Sequence, residues 1–424
     1  MTHNGFPRGD ARLRGDPGRV LRFGVEEEFL LVDPATRSTA ARAQLVVPRA
    51  ARTLGDRAQY EFLATQVETC TRPVTSASAL HAELVAARRT MVAAAESAGC
   101  RLVASGLAVL PSRHPLPVTP TDRYRRVAAH VHRAADQRGG EICGCHVHLG
   151  DLDRVEALAI SAHLSPWLPA LQALCVNSPF CEGLDRGAAS LRAGRYLAWP
   201  TCGPAPALDA EGYERTVNRL LAQRVILDRK MLYWYARPSE HLPTLEVRIA
   251  DTNADVRTPL LLAVLLRALA HTFLAAHHRG APPPRMPAAV LREAHRQAAL
   301  GGLTSVGTHP STGRRLPMAL LVTELMDLAT PALERSGDLV LASLLLKERM
   351  TAGTGADRQR AVFARRRSLA DVVDDLAHLT ADAGTLATAA PVTGDFSRPA
   401  GAAVASPRGA GSGLSVLSPA PRAG

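Results

Sequence analysis

Three consecutive glutamates, Glu26-Glu27-Glu28, stand inside an otherwise apolar run, with Phe23-Gly24-Val25 before them and Phe29-Leu30-Leu31-Val32 after. A run of this kind, closed by Asp33-Pro34, reads as a strand over 22–32. Strand side chains alternate faces with period two, so Glu26 and Glu28 share one face and Glu27 points to the other. Two carboxylates side by side repel each other and are tolerable in water or beside a cation. Hard divalent cations such as Mg²⁺ take oxygen ligands of this type. An acidic, solvated edge strand is the plainer reading, and the apolar flanks count against it.

Three further segments carry chemistry on strand-like patterns. Residues 60–69 read as one strand, in which Gln66 and Glu68 share a face with Phe62 and Ala64, and Glu61 falls on the other. In Cys143-Gly144-Cys145-His146-Val147-His148-Leu149, the parity groups His146 with His148 and Cys143 with Cys145 on the opposite face. A His-x-His strand beside thiols invites a zinc reading, hence a zinc-dependent hydrolase. Parity separates the two pairs, however, and there is no C-x-x-C or H-E-x-x-H; buried core histidines are the bland account. In Thr244-Leu245-Glu246-Val247-Arg248-Ile249, Glu246 and Arg248 share a face. They are either a simple ion pair or a metal ligand beside a phosphate clamp, because a guanidinium forks onto phosphate oxygens. Taken together, carboxylates, imidazoles and an arginine on strand faces favour one site for a polyanion and metal ions, the chemistry of phosphoryl transfer.

The chain has 424 residues and a formal charge of +11, with an aromatic content of only 4%. Basic stripes interleaved with aromatics are missing, which argues against stacking-based nucleic-acid binding. Nearly all the positive charge is arginine; the only lysines are Lys230 and Lys347, and neither sits in a G-x-x-x-x-G-K-[ST] loop. Arginines and metal ions would therefore have to hold any nucleotide phosphates. Seven cysteines and a charged N-terminus without an apolar h-region point to reduced thiols and a cytoplasmic location, and no apolar run marks a membrane span. Residues 1–20 and the Ala/Gly/Pro/Ser-rich stretch 384–424 are expected to be disordered, leaving 21–383 as a single catalytic domain. Strands interleaved with helices, followed by an all-helical C-terminal third, give an α+β class. Helices are expected over 76–99, 121–137, 151–176, 211–223 and 255–278, with further strands over 101–105, 142–149, 231–235 and 244–250.

The four segments, in this order, resemble the YbdK-type carboxylate–amine ligases, the type 2 glutamate–cysteine ligase group. Two further stretches fit. One runs from Asn177-Ser178-Pro179-Phe180 through Gly183, Asp185, Ser190 and Arg192 to Trp199-Pro200-Thr201-Cys202-Gly203. The other is Gly353-Thr354-Gly355-Ala356-Asp357-Arg358-Gln359-Arg360. The resemblance implies a curved antiparallel sheet of the glutamine-synthetase and guanido-kinase kind, with helices on its convex side. It implies Mg²⁺ and ATP, an acyl-phosphate intermediate, small-molecule substrates (an amino-acid carboxylate and an amine) and possible homo-oligomers. It assigns Glu26, Glu28, Glu68, His146 and Glu246 to metal, Arg192, Arg248 and His148 to catalysis, and Arg192, Arg248 and Arg358 to the nucleotide. A non-catalytic ATP- or amino-acid-binding protein of the same fold would share these features. Relatives usually carry Arg where Leu300 stands, which bears on substrate choice.

Overall fold

The computed structural model describes residues 19–112, 115–131 and 140–382. Most of the ends expected to be disordered, and residues 132–137 of the helix expected over 121–137, lie outside these residues. The strands are β1 (Phe23–Val32), β2 (Ala58–Tyr60), β3 (Gln66–Cys70), β4 (Arg101–Val103), β5 (Gly144–Leu149), β6 (Phe180–Cys181), β7 (Leu184–Asp185), β8 (Ala236–Pro238), β9 (Leu245–Asp251), β10 (Val306–Thr308) and β11 (Arg315–Pro317). Seven of them form one sheet in the order β2-β3-β1-β5-β9-β8, with β4 pairing to the end of β1. Every pairing in it is antiparallel. The other four strands make two small hairpins. The expected α+β class with an antiparallel sheet and a helical C-terminal region is the one observed.

The helices are α1 (Ala43–Leu54), α2 (Ala77–Ser97), α3 (Asp122–Val131), α4 (Arg154–Leu164), α5 (Leu168–Leu174), α6 (Leu191–Tyr196), α7 (Ala210–Ala222), α8 (Arg257–His278), α9 (Ala288–Gly301), α10 (Met318–Ser336), α11 (Leu339–Ala352), α12 (Gly355–Arg366) and α13 (Leu369–Ala381). Ser76 caps α2 by accepting from the Ala79 amide at 3.2 Å, as the sequence pattern requires. The single helix expected over 151–176 is two helices, because Pro166 and Pro169 interrupt the backbone ladder between α4 and α5. The strand expected over 60–69 is likewise two strands joined by a turn at 61–65. The strand expected over 231–235 is displaced to Ala236–Pro238.

Alternation decides what each face of β1 meets. Phe29 and Leu31 pack with Val67 against α1 and α2, in a core that includes Val46, Ala50 and Met91. On the other face, Leu30 and Val32 lie under α12 and α13, packed with Val362, Val372 and Leu376. Helices therefore cover one side of the sheet and also one end of the opposite side, leaving the Glu26 and Glu28 stretch uncovered. Glu27 faces α2, where Arg88 grips both its oxygens at 2.6 and 2.9 Å. The pair is almost fully buried, at 1% and 0% exposure. Arg88 also donates to the carbonyls of Asn253 and Ala254 beyond β9. The middle glutamate is thus structural: it ties the central strand to a helix and to the end of a third strand.

Helix α8 is long and apolar enough to cross a membrane by length and composition, with mean hydropathy 1.8, yet 78% of that window is buried inside the protein. It packs against α4, α10 and α11 as a core helix.

Removing one member of a buried ion pair leaves the other charge uncompensated. Arg88→Met is expected to lower unfolding free energy by about 3–5 kcal/mol, and Glu27→Leu combined with it should recover much of the loss. Urea denaturation of the two variants checks this; equal destabilisation of single and double variants would refute it.

Candidate active site

Strand pairing brings the scattered acidic and imidazole groups together. In the register, Glu28 is opposite Glu68, Glu26 is opposite His146, and His148 is opposite Glu246. All face the uncovered side of the sheet and line one cavity of about 360 Å³. Two ligand groups emerge there. Glu26, His148 and Glu246 can each offer one atom with all three atoms within 4.8 Å of one another, and Glu28, Glu61 and Glu68 do the same. His146 lies between the groups, its Nδ1 3.6 Å from Glu26 and its Nε2 3.7 Å from Glu28.

The donor set fits hard cations. Each group is rich in carboxylate oxygen, and neither includes a cysteine. His148 Nδ1 is held by Thr244 Oγ1 at 2.9 Å, so its Nε2 is presented to Glu26 at 3.2 Å; a ligand imidazole is commonly anchored through its other nitrogen in this way. His146 Nε2 is buried with no hydrogen-bond partner among the described residues. The zinc alternative loses its thiols. Cys145 stands opposite Glu27 on the far side of the sheet. Cys143 precedes β5 and is packed with Leu30 and Val32, so it does not share Cys145's face. Burial holds both thiols well above the ordinary range.

The carboxylates feel each other's charge. Burial, reinforced by Glu28, pushes Glu61 up to about 7. Burial and the neighbouring Glu26, Glu61 and Glu28 push Glu68 well above its usual range. Glu28 is raised by burial against the opposing pull of Arg192 and Arg248. The other group behaves in the opposite sense. Burial would raise Glu26, but His148 and His146 outweigh it and hold the carboxyl low. Glu246 is held well below its usual range because Arg237 and Arg248 overcome burial. Burial and Arg248 depress His146 to about 4, leaving it neutral. His148 is raised, since Glu26 outweighs the cost of burial.

The arginines divide into two kinds. Arg248 donates through Nη1 to Glu246 and through Nε to the Tyr196 hydroxyl at 3.1 Å, with His146 at 3.4 Å. Arg192, on α6, is 2% exposed and lies against the Tyr196 ring at 5.1 Å. Its guanidinium passes directly over Gly144: a Cβ there would collide with Arg192 Nη2 and come within 2.8 Å of His146 Nε2. Glycine at this position is what lets the cation approach the sheet. Strand parity paired Glu26 with Glu28, His146 with His148 and Glu246 with Arg248, the resemblance added Arg192 and assigned them with Glu68 to one site, and the fold brings all eight to one cavity wall.

Arg358 does not join them. It sits on α12 and pairs with Asp375 of α13 at 2.8 Å, its side chain half exposed. The side chain of Leu300 is also turned outward, at 39% exposure, and only its backbone carbonyl engages the Ala189 amide. Neither residue lines the cavity.

Three site residues escaped the sequence. Glu61 enters because the turn at 61–65 frees it from strand parity. Arg237, on the short strand β8, meets Glu246 at 3.0 Å. Asp251 enters through a bulge. Cys145 pairs with Ala250 and Val147 with Val247, so β9 carries one extra residue there. The extra residue resets the alternation and turns Asp251 to the same side as Glu246.

Comparison with known proteins agrees with this arrangement. The profile described as Glutamate-cysteine ligase family 2 (GCS2) matches residues 22–376. Proteins named "Putative glutamate--cysteine ligase 2-1" from Saccharopolyspora erythraea and Nocardia farcinica are 42% and 40% identical over 355 and 359 residues. Each alignment covers 84% of this chain and 93% or 92% of the relative. Among solved structures, the fold resembles the glutamate–cysteine ligase of Francisella tularensis in complex with AMP (TM-score 0.65, 11% identity, 86% of this chain and 89% of that one). It also resembles a bifunctional glutathione synthetase from Pasteurella multocida (TM-score 0.63, 14% identity, 86% and 52%). At such identities these two speak to the fold alone, whereas the sequence relatives span nearly the whole described chain, and it belongs to the glutamate–cysteine ligase family 2.

Proposed function

We propose that the protein is an ATP-dependent carboxylate–amine ligase that joins L-glutamate to L-cysteine, giving γ-glutamylcysteine, ADP and phosphate. The main support is the juxtaposition of two carboxylate-rich cation sites with Arg192, a buried guanidinium whose side chain hydrogen-bonds no carboxylate among the described residues. In the reaction, an oxygen of the acid bonds to the γ-phosphorus of ATP as the bond to ADP breaks. The amine nitrogen then attacks the acyl carbon, phosphate departs and the nitrogen loses a proton.

Mg²⁺ would be held by Glu26, His148 and Glu246 and by Glu28, Glu61 and Glu68, and when bound it neutralises phosphate oxygens. Arg192 takes the anion that is transferred. Arg248 is tied to Glu246, Tyr196 and His146, so it acts as a fixed positive wall with Nη2 left for a ligand. Arg237 and Arg248 together keep Glu246 ionised. His146, neutral at physiological pH, completes a ligand set without adding charge. Phe62, Tyr124, Tyr196, Trp199 and Tyr233 line the same cavity and meet edge-to-edge or edge-to-face with centroids 5.4 to 6.0 Å apart. This wall keeps water from a reactive acyl phosphate and strengthens the charge interactions inside.

Incubation with ATP, Mg²⁺ and mixed amino acids is expected to yield ADP and a γ-glutamyl amide by mass spectrometry. ATP consumption without any amide, or none at all across the amino-acid panel, would rule the reading out. Stoichiometric zinc in the purified protein would instead point to hydrolysis. Glu68→Gln should lower turnover by about 100-fold or more, the scale on which supporting and electrostatic groups act. Because Glu68 resists ionisation in this fold, the neutral isostere should not lower the melting temperature in the absence of metal.

Cation binding should be linked to pH. Carboxyls ionise near 4.3 in an unfolded chain, whereas Glu61 ionises at about 7 in the fold, and Glu28 and Glu68 are also raised. Between these values the folded state holds more protons, so the metal-free protein loses stability as pH rises from about 4.5 to 7. Mg²⁺ must displace those protons. Its stabilising shift in melting temperature is expected to be larger at pH 8 than at pH 5.5, and an equal shift at both would contradict the assignment.

A further inference from the structure

Seven arginines line the cavity, and among the described residues six have a carboxylate within hydrogen-bond reach. Arg57 and Arg72 meet Glu83, Arg123 meets Asp228, Arg229 meets Glu214, and Arg237 and Arg248 meet Glu246, none beyond 3.1 Å. Arg192 is the exception: its nearest carboxylate oxygen belongs to Asp251, at 3.9 Å, and its Nε is buried without a partner. A buried guanidinium should close on such a carboxylate unless something holds the carboxylate back.

What holds it is a set of neutral donors. Asp251 Oδ2 accepts from the Asn177 amide at 2.8 Å and Ser178 Oγ at 2.7 Å, and Oδ1 accepts from Ser190 Oγ at 2.8 Å. Three of its roughly four acceptor sites are therefore engaged by neutral donors, Oδ2 by two and Oδ1 by one, while its charge still faces Arg192. Ser178 Oγ also accepts from the Arg192 amide at 3.1 Å, fixing the start of α6.

Asn177 is held in turn from far along the chain. Gln359 Nε2 on α12 donates to the Asn177 carbonyl at 2.9 Å and to its Oδ1 at 2.8 Å. Gly355 allows the approach, since a Cβ there would overlap Asn177 Oδ1. Arg360 grips Asp185 at 2.8 Å and the Ala188 carbonyl at 2.9 Å, on the segment that leads into α6. The Gly353–Arg360 motif, expected to touch nucleotide through Arg358, thus engages instead the stretch that carries Arg192.

We infer that Asp251 and Gln359 are positioning residues that keep Arg192 poised and unpaired for the substrate's anionic group: Gln359 fixes Asn177, the neutral donors occupy Asp251, and Asp251 orients Arg192 without capturing it. The inference rests on the reading of Arg192 as the anion-binding group of the proposed ligase. Crystal structures and kinetics of full-length Gln359→Met and Asp251→Asn test it. Arg192 is expected to leave its place over Gly144 in both. KM for ATP or for the acid should rise about 10-fold or more, as misplaced positioning groups produce. A structural role alone would lower the melting temperature while leaving KM and the place of Arg192 as they were. Ser178→Ala gives a second route: with one donor removed, Asp251 should close on Arg192 into a direct salt bridge, with the same rise in KM. Arg192 unmoved in all three structures would overturn the proposal, whatever happens to turnover. Wild-type protein that turns over no amino acid would sink the ligase reading alone, and the position of Arg192 in the variants would still decide this one.

Discussion

The sealed contact between Glu27 and Arg88 fixes which way the central strand faces. A strand slipped by one residue exchanges its two faces entirely. Here that slip would drive Glu26 and Glu28 into the apolar layer against α1 and α2, and would move Phe29 and Leu31 to the face that holds the acidic site. A charge buried at the middle of the strand, matched to one guanidinium, makes the alternative register costly on both faces at once. Because Arg88 also holds the backbone beyond β9, the same contact aligns β1 with the strand that supplies Glu246 and Arg248. The geometry of both ligand groups depends on that alignment.

Where strands are regular, the sequence was enough to place side chains. Period-two parity separated Glu26 and Glu28 from Glu27, and paired His146 with His148 and Glu246 with Arg248. It failed wherever the backbone left that period. The turn at 61–65 brought Glu61 to the site against its apparent parity, and the extra residue in β9 did the same for Asp251. Cys143 fell outside its strand and so did not share a face with Cys145. Arg237 sits on a strand of three residues, too short to show any pattern. Arg358 illustrates a different failure. Its motif is concerned with the site, but through Gln359, Gly355 and Arg360, so resemblance identified a segment whose working atoms belong to neighbouring positions.

Charge balance across the cavity follows one plan. Carboxylates concentrate on the strands, where pairing forces them close together, and arginines come from β9 and the edge strand β8, from α3 and α6, and from loops. Half of the acidic floor is stabilised by fixed guanidiniums and histidines; the other half is left electrically unsatisfied, with its carboxyls reluctant to ionise. The first arrangement needs no ligand to be stable. The second becomes favourable when a cation arrives, so the folded protein stores in Glu28, Glu61 and Glu68 a demand for positive charge. With almost no lysine in the chain, fixed cations in this cavity are nearly all rigid forks, suited to planar and tetrahedral oxyanions.

Helix α8 has a consequence during synthesis. Its 22 residues leave the ribosome before α10 and α11 exist to cover them, and by length and mean hydropathy they resemble a span that the membrane-insertion machinery would accept. Arg267 lies near the midpoint. In the finished fold it pairs with Asp338, donates to the Thr75 carbonyl and sits over the Phe23 ring at 4.1 Å. In the nascent chain those partners are unmade or unplaced, and a central arginine costs roughly 2.5–3.5 kcal/mol on entering a bilayer. The charge that would make this segment a poor membrane span is thus the one that fastens it to the sheet.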